Sequence, residues 1–393
     1  MKIKTAKRVQ KLPPYAFKLI FDRVAELKSM GIVPIDFGVG DPSTPTPRFV
    51  REACKDAIER RKGAGYPMYI GAPEFRRAVR AWSKRRFGLD LDAVTEITST
   101  IGAKEGIFNF PKAFIDPGDV VLIPSPGYPP YSRGTLFADG TPWFYPLNDK
   151  NGFLPDLDGI PDEVAEKAKL MWVCYPNAPT GVCPGLDFYE KLLAWTRARG
   201  IILASDEPYS EFYFGESPPT TALQAGREGV VVFNSLSKRS AMTGYRVGWL
   251  AGDPQIISIF RKMKTNVDSG TPTFIQDAAV AALEDEEHVQ KMREEYRVKR
   301  DMMVRCFDTA GLVNCSPSGT IYIWQRVPEG MDSMAFASLL MKPETAIVAT
   351  PGSLISQTVA DGSNPGENYV RFSLTPTLED IEIAAERILK LKL

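Results

Sequence analysis

The sequence predicts an α/β protein with a largely parallel sheet and a second, smaller α/β unit toward the C-terminus. Three observations carry this prediction. Short apolar runs alternate with longer helical patterns, the rhythm of strand–helix–strand units. Four of the runs have the length and apolar character of short buried strands. The chain has 393 residues, enough for two domains. Residues 120–124 are apolar throughout, as expected of a strand covered on both faces. Residues 170–175, 201–206 and 230–234 read the same way. Residues 186–199 read as a helix, stopped by Gly200 as a C-cap would stop it. In such sheets functional groups gather at the C-terminal strand ends. Asp206, Ser235 and the turn from Pro176 to Pro179 all sit at or just past such ends. Helical patterning then covers residues 276–307. Strand signals follow at 320–324 and 369–374, and a last helix begins near Leu378. Residues 362–366 form a loop by composition. No internal repeat or low-complexity linker is evident.

Composition narrows the function. Lys+Arg and Asp+Glu both number 48, and this charge balance argues against a nucleic-acid binder. The cluster Arg76, Arg77, Arg80, Lys84, Arg85 and Arg86 reads as the solvated face of an amphipathic helix. No apolar run reaches the ~20 residues of a membrane span. The basic N-terminus lacks the apolar stretch of a secretory signal. Cys54, Cys174, Cys183, Cys306 and Cys315 are odd in number and unpaired in spacing, which fits a reduced, cytoplasmic setting and no zinc site. The single histidine, His288, lies among charged helix formers and reads as a surface residue. One histidine argues against a His-built metal site or a Ser-His-Asp triad. The chemistry must come from carboxylates, lysine, tyrosine or a cofactor.

Lys238 stands in the most informative stretch. Ser235 and Ser237 precede it, and Arg246 follows within Gly244-Tyr245-Arg246-Val247-Gly248-Trp249. An aldehyde cofactor bearing a phosphate needs this set: an amine to form an imine, hydroxyls and a guanidinium fork for a dianion, and glycines for close backbone approach. Gly102-Ala103-Lys104 opens a helix-like stretch, whose free N–H groups suit the same anion. The phosphate-loop pattern that would explain Lys104 otherwise is absent, and Gly38-Val39-Gly40 lacks the third glycine of a dinucleotide site. Read alone, Asp206 fits a turn or helix cap as well as a cofactor contact, and Tyr128 fits a core position.

Further segments add to this: Leu12-Pro13-Pro14-Tyr15, Asp36-Phe37-Gly38-Val39-Gly40-Asp41-Pro42, Tyr66-Pro67-Met68-Tyr69-Ile70-Gly71, Ile101-Gly102-Ala103-Lys104-Glu105-Gly106, Pro126-Gly127-Tyr128-Pro129, Asp206-Glu207-Pro208-Tyr209 and Tyr369-Val370-Arg371-Phe372-Ser373-Leu374. In this order, over nearly the whole chain, they resemble the fold-type I, pyridoxal-phosphate-dependent aminotransferases of class I/II, and within them the LL-diaminopimelate aminotransferase branch. The resemblance implies the fold of those transferases, with a small domain drawn from both chain ends. It divides the chain into an N-terminal arm and part of the small domain (1–47), a large cofactor-binding domain (48–290) and a C-terminal small domain (291–393).

It also implies roles. Lys238 carries the cofactor as a Schiff base and later shuttles a proton. Asp206 pairs with the pyridine nitrogen, and Tyr209 donates to the phenolic oxygen. Ser235, Ser237, Arg246 and the amides at Ala103 and Lys104 hold the phosphate. Tyr128 stacks on the ring, and Tyr66 reaches the phosphate of a neighbouring subunit. Arg371 clamps the substrate carboxylate, with Gly40 and Tyr15 on the same side of the pocket. One departure stands out: in Tyr175-Pro176-Asn177-Ala178-Pro179-Thr180-Gly181, Ala178 occupies the place of the asparagine that relatives aim at the cofactor. Adjacent Asn177 is the candidate substitute.

The function implied is ping-pong transamination with pyridoxal 5'-phosphate, on LL-diaminopimelate with 2-oxoglutarate in lysine biosynthesis. A cytoplasmic homodimer with shared active sites is expected, with no metal, nucleic acid or membrane. Aspartate, alanine or another amino acid as donor is the alternative within the class. A β-lyase or decarboxylase on the same fold, and a silent cofactor-sensing protein, are the rival readings.

Overall fold

The apolar runs at the centre of the chain fall side by side in one sheet. A computed structural model describes residues 1, 3–12 and 18–391. Its strands in chain order are β1 (Ile35–Asp36), β2 (Ile97–Thr100), β3 (Val120–Ser125), β4 (Thr141–Pro146), β5 (Ala168–Cys174), β6 (Ile202–Asp206), β7 (Val230–Ser235), β8 (Gly248–Gly252), β9 (Tyr322–Arg326), β10 (Ile347–Val348), β11 (Thr350–Pro351) and β12 (Tyr369–Ser373). The large sheet runs β2-β8-β7-β6-β5-β3-β4, and only β8 is antiparallel to its neighbours. Helices fill the crossovers, including Gly102–Asn109, Pro129–Phe137 and Leu186–Arg197.

Strand alternation explains why the central runs are apolar at every position. Leu122, Met171, Val173, Leu203 and Val232 enter the cluster on one face. Their neighbours Ile123, Leu170, Trp172, Ala204 and Phe233 enter the cluster on the other. Trp172 is fully buried and stacks on Tyr131 with centroids 4.8 Å apart. Truncating such a side chain to alanine costs about 3–5 kcal/mol, so this face is rigid beneath the strand ends.

A third apolar cluster joins Ile35 and Phe37 to Ile323, Ile347, Val370 and Phe372. Strand β1 pairs in parallel with β10, and β9 pairs antiparallel with β12. Both flanks of the large sheet in sequence therefore feed one smaller core.

Three local readings differ from the structure. The helical pattern over 276–307 is two helices, Thr273–Glu284 and Glu287–Thr309. The break is at Asp285, whose extended backbone lets its carboxylate accept the His288 amide at 3.0 Å. His288 is not a free surface group. Its Nδ1 faces Asp285 Oδ1 at 2.5 Å, and its Nε2 meets the Ser240 hydroxyl at 2.9 Å. Ser240 is 2% exposed, so this Ser-His-Asp line is closed to substrate and ties the Lys238 segment to the helices. The basic cluster also divides. Arg77, Arg80, Lys84 and Arg85 are solvated, whereas Arg76 is buried and donates to the Gly71 and Ala93 carbonyls. Among the described residues, no helix is long and apolar enough to cross a membrane.

Candidate active site

A cavity of about 500 Å³ opens where β5, β6 and β7 end and the helix Gly102–Asn109 begins. Parallel strands bring their last residues to one edge, so groups distant in sequence meet there. Asp206 closes β6 and Ser235 closes β7, and both line the cavity. Asp206 is 4% exposed. Its Oδ2 accepts the Tyr131 hydroxyl at 2.6 Å, while its Oδ1 is buried with no protein partner. Burial pushes the carboxyl up to about 7; the Tyr131 hydrogen bond opposes this and Glu207 adds to it.

Ser235 caps the short helix Leu236–Arg239 by accepting the Ser237 amide. That turn projects Lys238 into the cavity, half-buried, with Nζ donating to the Gly40 carbonyl. Burial pulls the ammonium below the usual lysine range, while Tyr322 and Asp41 pull it up. Lys238 is thus biased toward the neutral, nucleophilic amine.

Arg246 adopts a left-handed backbone at φ 53°, and its Nη1 donates to the Thr243 carbonyl at 2.7 Å. Its guanidinium lies against Gly102, where any Cβ would collide with Nη2. Gly102 also has φ 71°, a conformation that L side chains rarely adopt. The result is a cradle of backbone and guanidinium at a helix N-terminus, with Ala103, Lys104, Ser235 and Ser237 on its walls. Tyr128 stands at the rim and Tyr209 inside, its hydroxyl 3.3 Å from that of Tyr322. Burial drives the Tyr209 phenol well above its usual range.

Arg371, on β12, reaches the cavity from the smaller core. Its Nη2 donates to the Gly38 carbonyl at 2.8 Å and to Thr350 Oγ1 at 3.3 Å. Its Nε is buried without a partner. One edge of the guanidinium is anchored, and another donor is left for a ligand.

Of the residues singled out from sequence, Tyr66 and Asn177 are not brought to this cavity. Tyr66 is 93% exposed and does not line it. Tyr15 lies outside the described residues. Asn177 is buried and turned away: its Nδ2 donates to the Cys174 carbonyl, and its Oδ1 accepts the Thr180 amide and hydroxyl. It holds the turn, and Ala178 and Pro179 line the cavity in its stead. Sequence reading also missed Tyr131 and Tyr322. The signal for Tyr131 was its spacing, three residues after Tyr128 at the start of a helix, which puts both on one side.

The donor set fits a phosphorylated pyridoxal. Asp206 Oδ1 awaits a cationic donor, the Gly102–Arg246 cradle accepts an anion, and a half-buried amine stands in the same cavity. Among the described residues no cluster suited to a metal ion is found.

Comparison with known proteins agrees with this geometry. The family described as aminotransferase class I and II matches residues 32–388. The LL-diaminopimelate aminotransferase of Aquifex aeolicus is 45% identical over 98% of each chain. That of Syntrophobacter fumaroxidans is 42% identical, also over 98% of each. Among solved structures, substrate-bound BacF from Bacillus subtilis superposes with a TM-score of 0.91 at 33% identity, covering 100% of this chain and 99% of that one. A mutant aspartate aminotransferase of Thermus thermophilus gives 0.90 at 27% identity, covering 99% and 100%. With a family match across both cores and the whole cavity edge, the chain belongs to the class I and II aminotransferases and is a transaminase.

Proposed function

We propose that this transaminase uses pyridoxal 5'-phosphate to move the amino group of LL-diaminopimelate to 2-oxoglutarate, in lysine biosynthesis. Support comes from relatives of that name aligned over nearly their full length. The observation that carries the reading is a pair of buried, unpaired atoms in residues lining one cavity, Asp206 Oδ1 and Arg371 Nε. Buried polar atoms are almost always satisfied, so each calls for a ligand atom: a cationic nitrogen at Asp206 and a carboxylate at Arg371. Lys104, exposed on the cavity wall, supplies a second cation. Two cations suit dicarboxylic amino acids, a class that contains both diaminopimelate and glutamate.

When bound, pyridoxal phosphate supplies an aldehyde for amines to condense with and a ring that accepts electrons from the substrate α-carbon. The protein's part is binding, orientation and proton control. Ser235, Ser237, Arg246 and the first amides of the helix at Ala103 and Lys104 hold the phosphate. Asp206 holds the ring nitrogen in its charged form, Tyr209 donates to the phenolic oxygen, and Tyr128 covers a ring face. Arg371 orients the substrate α-carboxylate, with Gly40 beside it. Lys238 Nζ takes the proton from the substrate α-carbon, a task its burial favours by depressing the ammonium. Tyr66 serves the site of a partner protomer in a homodimer, which accounts for its 93% exposure here. Five unpaired cysteines favour a reduced, cytoplasmic setting.

The test is a half-reaction panel. Holoenzyme is mixed with diaminopimelate, glutamate, aspartate or alanine alone, and conversion to the pyridoxamine form is followed by absorbance. LL-diaminopimelate and glutamate are expected to react fastest. Fast aspartate with inert diaminopimelate would overturn the substrate assignment, and pyruvate with ammonia from a β-substituted donor would favour a lyase. Lys238→Ala is expected to fold and to lose turnover.

A further inference from the structure

Tyr322 touches three of the residues assigned above, from an element that the sequence did not link to the site. It opens β9 and pairs with Ser373, while Arg371 pairs with Trp324. Tyr322 and Arg371 are therefore diagonal neighbours on one face of an antiparallel pair. The Arg371 guanidinium lies over the Tyr322 ring at 4.5 Å. The Tyr322 hydroxyl stands 3.3 Å from that of Tyr209, with the rings edge-on at 75°. The same hydroxyl packs on the Gly40 backbone so closely that a Cβ there would collide with it. Gly40 in turn accepts from Lys238 Nζ. Tyr322 is 5% exposed, so these contacts are made away from water.

Its placement is fixed from behind. Thr320 is buried at φ 70°, a strained conformation for a β-branched residue. Its hydroxyl accepts the Tyr322 amide at 3.2 Å, and its own amide donates to the Phe212 carbonyl at 2.9 Å. The strand start is thereby locked to the segment that carries Tyr209.

We infer that Tyr322 is a positioning residue of the transamination site: its ring seats the guanidinium of Arg371, and its hydroxyl braces Tyr209 and the Gly40 backbone. A carboxylate docking on Arg371 is thus mechanically joined to the hydroxyl that meets the cofactor and to the carbonyl that holds Lys238. The inference rests on the roles given above to Arg371 and Tyr209, not on which amino acid is the donor.

The experiment compares wild type, Tyr322→Phe and Tyr322→Leu as holoenzymes, with whichever donor in the panel the wild type takes. Phenylalanine keeps the ring and removes the hydroxyl. It is expected to lower kcat roughly tenfold, the worth of one hydrogen bond, with KM within about twofold. It should also shift the pH at which the bound cofactor's visible absorbance changes by about half a unit or more. Leucine removes the seat as well and is expected to raise donor KM about tenfold. An unchanged spectral titration in Tyr322→Phe overturns the inference, even if activity falls, because a merely structural role would not move the spectrum selectively. Melting temperatures of both variants separate misfolding from mispositioning. Failure of wild type to bind pyridoxal phosphate would instead overturn the cofactor reading itself.

Discussion

The Tyr131 hydroxyl donates to Asp206 Oδ2 at 2.6 Å, while Oδ1 of the same carboxylate has no protein partner. Tyr131 is itself fully buried and stacked on Trp172. The carboxylate is therefore aimed by a rigid aromatic pair at the edge of the sheet. Removing the hydroxyl frees the carboxylate to rotate and leaves Oδ2 unsatisfied. Tyr131→Phe is expected to weaken pyridoxal phosphate binding about tenfold, the effect of roughly 1.4 kcal/mol. Fluorescence titration of cofactor-free protein measures it. Unchanged affinity would mean that the cavity orients Asp206 without help.

Asp206 also predicts how the cofactor-free chain responds to pH. Asp206 and Glu207 are both raised to about 7 in the fold, chiefly by burial. In the unfolded chain they titrate near 4. Between those limits the folded chain binds more protons than the unfolded one, so stability falls as pH rises from about 4 to about 7 and the loss is complete above that. A cationic ring nitrogen beside Asp206 removes most of its share. Melting temperature of the cofactor-free protein is expected to fall across this window. In Asp206→Asn the slope should be shallower, and added pyridoxal phosphate should raise the melting temperature more at about pH 8 than at about pH 5. A flat profile in the cofactor-free wild type would contradict the burial argument.

What the sequence made legible follows from physics that acts locally. The strands β3, β5, β6 and β7 are buried on both faces, so their apolar runs announce them, and Asp206 and Ser235 stand out where the runs stop. Strand β8 is less visible: with Gly248 and Gly252 at its ends it reads as a motif, and the glycines are there because the Asn234 and Val230 carbonyls approach too closely for a side chain. The direction of Asn177 is not legible from its adjacency to Ala178; its amide turns into the loop, where two backbone groups and a hydroxyl occupy it. Tyr322 carries no local signal at all. Its place beside Arg371 is set by the register of β9 on β12, a contact between residues 322 and 371 that only the tertiary fold creates.

Arg371 offers a test of geometry against charge. Its guanidinium is anchored through Nη2 to Gly38 and Thr350, while Nε stays unpaired. Lysine preserves the charge but cannot both keep that anchor and present two parallel donors to a carboxylate. Arg371→Lys is expected to raise the donor KM by about 30-fold or more, the loss of roughly 2 kcal/mol from a charge-assisted pair, with a smaller change in kcat. Steady-state kinetics with glutamate and with diaminopimelate should show the same rise, because both share the α-carboxylate. A rise confined to one donor would move Arg371 to the distal end of the substrate.

The last prediction concerns Tyr66, which is 93% exposed and lines no part of the cavity in its own chain. If it completes the phosphate site of a partner, its loss must be rescued by the other protomer. Tyr66→Phe alone is expected to weaken pyridoxal phosphate binding about tenfold, and Lys238→Ala alone to abolish turnover. If the protein is a homodimer, co-refolding the two variants yields mixed dimers. In one site of each mixed dimer, Lys238 comes from the first variant and an intact Tyr66 from the second. Activity plotted against pyridoxal phosphate concentration should then separate into two phases, one of wild-type affinity. The phase of wild-type affinity cannot arise if Tyr66 acts within its own chain, since every chain with a working lysine would carry the weakened phosphate contact. A single weak phase in the mixture would therefore refute the shared site, whereas two phases would require that the active unit contain at least two copies of this chain.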